Sequence, residues 1–81
     1  MSASATPDED LARALRRLRQ QRGQTQEDLA HDARLTVTAY ARIERGSANP
    51  TWTTVRRLAV ALNISLAELG EAVEIRADPG A

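Results

Sequence analysis

Residues 25–50, TQEDLAHDARLTVTAYARIERGSANP, constrain the fold more than any other part of the chain. They hold two short helical patterns, opened by Thr25 and Thr36, separated by three residues and closed by Gly46. Threonine suits the position before a helix because its hydroxyl accepts a hydrogen bond from an otherwise unpaired N–H of the first turn. Two helices joined so tightly, each capped separately, are expected to cross at a steep angle. The second carries small and polar residues on its early turns, where a surface helix is usually rich in charge. That pattern suits insertion into a groove of DNA.

The rest of the chain supplies further helices. Thr6-Pro7-Asp8-Glu9 predicts a helix start, with Thr6 as N-cap, Pro7 at the first helical position and Glu9 closing a capping box. Leu11, Leu15 and Leu18 then fall on one face, and Gly23 ends the helix. Leu29, Ala30 and Ala33 form the apolar face of the second helix, and the third buries Tyr40 and Ile43. Thr51 opens a fourth helix, where Val55, Leu58, Ala59 and Leu62 give the spacing of a core-facing element, and Asn63 is expected as its C-cap. Ser65 with Glu68 predicts a capping box for a short fifth helix through Leu66 and Leu69 to about Gly70. The reading is all-α: a compact five-helix domain over residues 7–71, after a Ser/Ala-rich arm at 1–6 expected to be disordered. In the tail, 72–81, Val73-Glu74-Ile75-Arg76 alternates apolar and charged residues; a frayed helix end, a short strand pairing with a partner and disorder all fit it.

Composition narrows the function classes. A chain of 81 residues with no Phe, one Trp and one Tyr must build a small core from Leu, Ala, Val and Ile, and such chains often gain stability by dimerising. The absence of Cys removes disulfides and thiolate metal sites, and suits a reducing compartment. The longest apolar run, Leu58 to Leu62, is far too short to span a membrane, and nothing resembles a signal peptide; a cytoplasmic, nucleoid-associated protein is expected. His31 has no second ligand at metal spacing and no nucleophile to activate, so neither a metal, a cofactor nor catalysis is expected. Asp8, Glu9 and Asp10 suit the positive end of a helix dipole. The net charge of zero hides an asymmetry. Between Leu11 and Leu66 stand ten Arg against Glu27, Asp28, Asp32 and Glu44, a net of +6 flanked by acidic ends. That is the footprint of a nucleic-acid binder.

Five short motifs then stand in register: Leu15-Arg16-Arg17-Leu18-Arg19, Gln26-Glu27-Asp28-Leu29-Ala30, Ile43-Glu44-Arg45-Gly46, Asn49-Pro50-Thr51 and Leu58-Ala59-Val60-Ala61-Leu62. In order and spacing, the chain from about Leu15 to Leu69 resembles the lambda-repressor-like, Cro/C1-type helix-turn-helix family, also called the XRE family. The resemblance implies a double-stranded DNA-binding transcriptional regulator, a repressor or autoregulator, working as a homodimer on a palindrome. It places Gln26 on a DNA phosphate, and Arg19 and Glu44 in an ion pair that fixes the third helix. Ala30 must be small where helices two and three cross. The third helix is expected in the major groove with Val37, Thr38, Ala41 and Arg42 towards the bases, Arg42 suited to guanine and Val37 and Ala41 to a thymine methyl. Thr36, Arg45, Ser47, Asn49 and Thr51 are expected on phosphates, and Leu66, Leu69, Val73 and Ile75 on the dimer surface. Trp52 is expected to cover the core, with contact to the DNA backbone as the alternative.

Two residues depart from the family pattern. Arg34 stands where many members have glycine, so the turn between helices two and three is expected to bend differently. The reading face offers few hydrogen-bond donors, which shifts part of the specificity to DNA shape. An alternative keeps the same fold but binds a protein, as an antitoxin binds its toxin or one regulator another, through residues 73–76.

Overall fold

The computed structural model describes residues 8–75. The expected arm at 1–6, the Thr6 cap, Pro7 and residues 76–81 of the tail lie outside the described residues. Five helices follow one another: α1 (Glu9–Gln21), α2 (Gln26–Asp32), α3 (Val37–Glu44), α4 (Trp52–Ala61) and α5 (Leu66–Glu74). The described residues contain no strand.

Each helix starts where a short polar side chain accepts from its first turn. Thr25, Thr36, Thr51 and Ser65 accept from the N–H of Asp28, Ala39, Thr54 and Glu68, and full capping boxes form at Thr25–Asp28 and Ser65–Glu68. The cap of α1 is Asp8, which accepts from the Leu11 N–H, so the helix begins two residues later than Thr6-Pro7 predicts. A carboxylate there caps and also meets the helix dipole, which a threonine cannot do.

Four helices also end alike. Gly23, Arg34, Gly46 and Asn63 take left-handed backbone, at φ 69, 63, 76 and 59°, each one residue beyond the C-cap. In each, the next N–H reaches back to a carbonyl of the last turn: Gln24 to Arg19, Leu35 to Ala30, Ser47 to Arg42 and Ile64 to Ala59. This is the Schellman closure. Arg34 therefore takes the same left-handed backbone as Gly23 and Gly46 of this chain, and its turn closes as theirs do. Asn63 lies just past the C-cap, which is Leu62. The fifth helix runs through Gly70 to Glu74, because Ala72 is buried and Val73 packs on the core.

The core joins Leu15, Leu29, Tyr40, Leu58 and Leu62, all fully buried, to Ala30, Ala33, Ile43, Ala59 and Leu69. Burying each large side chain contributes roughly 1.5–3 kcal/mol. Ala30 has no exposed surface, in keeping with the close approach of α2 and α3. Helix α1 packs on α3 and α5, α2 on α3 and α4, and α4 on α5. The helix-turn-helix pair α2–α3 thus rests on a platform of α1, α4 and α5.

Candidate nucleic-acid interface

The orientation of α3 is set by one buried carboxylate. Glu44 ends the helix and is 3% exposed, yet both its oxygens are fully engaged. Oε2 accepts from Arg19 Nε at 2.8 Å and from the Tyr40 hydroxyl, while Oε1 accepts from Arg19 Nη2 at 2.9 Å and Gln26 Nε2 at 2.9 Å. Arg19 also donates to the Gln24 carbonyl, and Arg16 to the Glu44 carbonyl. Helices α1, α2 and α3 therefore meet on one charge. Burial alone would push the Glu44 carboxyl up, but the donors from Arg19, Tyr40 and Gln26 hold it below the usual carboxylate range. Its hydrogen bond to Glu44 raises the Arg19 pKa, and burial pushes the Tyr40 hydroxyl upward, so that hydroxyl stays a donor.

On the outer face of α3 the side chains of Val37, Thr38 and Arg42 are exposed and Ala41 is half-buried between them. They form one strip on the side away from Tyr40 and Ile43. Thr36 caps the helix through its oxygen, which leaves its hydroxyl proton available to an acceptor in front of α3. At the other end Arg45 is exposed as the C-cap residue.

The loop after Gly46 is tied down from several sides. The Ser47 hydroxyl donates to the Arg42 carbonyl, and the Thr51 hydroxyl accepts from the Thr54 N–H and meets the Thr54 hydroxyl. Asn49 Oδ1 accepts from the Asp8 N–H at 2.7 Å, which joins this loop to the start of α1. Gln26, expected to face a phosphate, points its amide at Glu44; its second N–H is the one left for an outside acceptor.

Against this geometry, residues 10–72 match the family model described as "Helix-turn-helix domain". The chain belongs to the helix-turn-helix family. Among curated relatives it is 38% identical over 68 residues to the HTH-type transcriptional regulator DdrOP3 of Deinococcus deserti. That alignment covers 84% of this chain and 53% of the relative, so the chain spans about half of that protein's length. Among solved structures it is similar to the restriction-modification controller protein C.AhdI of Aeromonas hydrophila, with a TM-score of 0.73 and 34% identity over 75% of this chain and 92% of that one. The clp gene regulator ClgR of Corynebacterium glutamicum gives a TM-score of 0.78 and 27% identity over 85% and 76% of the two chains. The fold is that of the Cro/C1-type, lambda-repressor-like regulators.

Within this helix-turn-helix domain the expected Arg19–Glu44 pair is present, and it is larger than a pair. Tyr40 has a helical signal, since it lies four residues before Glu44 on one face. The Gln26 link has none. Two other expectations need correction. Trp52 does not cover the core: it is 64% exposed and stands at the rim of a shallow apolar groove with Leu11, Val55, Leu66 and Val73. Leu69 is only 3% exposed and forms the floor of that groove, because α5 turns it towards Leu58 and Leu62; Leu66 and Ile75 remain on the surface. No helix among the described residues is long and apolar enough to cross a membrane.

Proposed function

We propose that this chain is a sequence-specific double-stranded DNA-binding regulator that places α3 in the major groove. The observation that carries the reading is the pinning of α3 by Glu44 behind an outer strip of small and polar side chains. A rigid helix with a slim outer face fits a groove about 12 Å wide and presents its side chains to the base edges in one fixed register. Arg42 is the base-reading guanidinium, with Thr38 beside it and Val37 and Ala41 placed for a thymine methyl. Thr36, the second amide N–H of Gln26, and the loop group Arg45, Ser47, Asn49 and Thr51 hold phosphates on either side. Ser47 and Thr51 would rotate their hydroxyls away from present partners to do so.

The unit on DNA is a homodimer whose half-sites lie about 34 Å apart, one helical turn. The apolar groove with Trp52 and Leu66 at its edge, together with the exposed Ile75 after α5, is the surface that supports this. Repression or autoregulation follows from occupying a promoter. Fluorescence anisotropy on labelled duplexes tests the reading: tight binding to a selected palindrome should weaken steeply with added salt. Equal affinity for every duplex would refute specific readout. Sedimentation should show a dimer that Leu66→Glu converts to a monomer.

A further inference from the structure

The arginines outside the fold's own bonding are unevenly placed. Of the ten between Leu11 and Leu66, Arg13, Arg16, Arg17 and Arg19 are engaged within the fold. The other six are exposed, and only Arg42 and Arg45 belong to α3 and its end. Arg34, Arg56 and Arg57 instead gather in an open groove between the end of α2 and the outer side of α4. None of these three makes an ion pair with a described residue.

Two features of this groove set it apart from a phosphate track. Val60 lies in it with 78% of its surface exposed, an apolar side chain in the same groove as the three arginines. Asp32 forms part of the rim, and a carboxylate there repels a nucleic-acid backbone. Along α4, Arg56 to Val60 lie about 8–13 Å from Thr51, the end expected to meet DNA. Spaced cations around an apolar knob complement a helix that carries carboxylates around an apolar residue of its own.

We infer that the α2–α4 groove is a docking surface for an acidic amphipathic helix of a partner protein, separate from the face of α3 that reads DNA. Arg34, Arg56 and Arg57 receive its carboxylates, and Val60 takes its apolar side chain. Desolvation by that apolar contact strengthens charge pairs that would be nearly neutral in open water.

Backbone amide NMR on the intact chain tests this with defined probes. The first is a stapled helical peptide of fourteen residues with glutamates four apart around a central leucine. The second replaces that leucine with serine, and the third is a short duplex of unselected sequence. The expected result is saturable shifts at Thr53, Arg56, Arg57 and Val60 with the leucine peptide, at least tenfold weaker binding of the serine peptide, and loss of both in Arg56→Glu/Arg57→Glu. Circular dichroism of that variant should match the parent, since both side chains are exposed. Three outcomes overturn the inference. A silent peptide means there is no such surface. Shifts at the same amides with the duplex alone assign the groove to nucleic acid. Concentration-dependent shifts at Arg56, Arg57 and Val60 without any probe, persisting in Leu66→Glu, assign it to a second copy of the chain.

Discussion

Arg19 grips Glu44 through a two-pronged contact, Nε to Oε2 at 2.8 Å and Nη2 to Oε1 at 2.9 Å, across 25 residues of sequence. The guanidinium matches both carboxylate oxygens at once, which an ammonium cannot do. Arg19→Ala should therefore destabilise the domain by about 3–5 kcal/mol, because Glu44 stays buried without its counter-ion. Arg19→Lys should restore only part of that. Urea unfolding measures both, and a loss below about 0.5 kcal/mol, typical of surface sites, would contradict the structural role.

Tyr40→Phe isolates the neutral arm of the same network. It removes the hydroxyl donor from Glu44 Oε2 while keeping the ring in the core. A hydrogen bond to a charged group contributes about 1.5–3 kcal/mol, and the loss should appear as a lower unfolding midpoint with an unchanged denaturant slope.

Acid should weaken the fold through Glu44. Its carboxyl titrates below its ordinary value in the folded state. The unfolded chain then binds the proton more readily, so this stabilisation is complete above the unfolded carboxylate range, near pH 4–5. It is lost as pH falls through the lowered folded value. Glu44→Gln should start less stable at neutral pH and show a shallower decline on acidification. Unfolding curves from pH 7 down to pH 3 compare the two.

Arg34 holds a left-handed backbone at φ 63° with a full side chain. Relief of about 1–2 kcal/mol of steric cost in Arg34→Gly outweighs the added freedom of glycine in the unfolded chain, about 0.5–1 kcal/mol. The net gain should be about 0.5–1 kcal/mol, a rise of several degrees in Tm by calorimetry. A drop would mean that the Arg34 side chain stabilises the turn in some other way.

What was legible in the sequence was mostly local. Thr25, Thr36, Thr51 and Ser65 announce their helices because a cap acts within three residues. Asp8 was hidden behind Thr6-Pro7, where two overlapping start signals compete. The Arg19–Glu44 pair followed from family register, not from any rule of spacing. The bonds of Gln26 to Glu44 and of Asp8 to Asn49 span 18 and 41 residues, and no periodicity carries such information. Trp52 falls three residues before Val55 on the core side of α4, yet it sits at the helix's first position, where the cover from α1 and α5 ends. The +6 middle also overstated the charge available to DNA, because four of its arginines bond within the fold.

The claim that α3 reads base edges is tested most directly by selecting bound sequences from a random duplex pool with the parent protein and with Arg42→Ala. The parent should enrich a palindrome with a fixed G·C pair in each half. The variant should keep the palindrome, lose the preference at that pair, and bind the parent's site about 1–3 kcal/mol more weakly. No enrichment by the folded parent at moderate salt, or an unchanged motif with Arg42→Ala, would contradict the account.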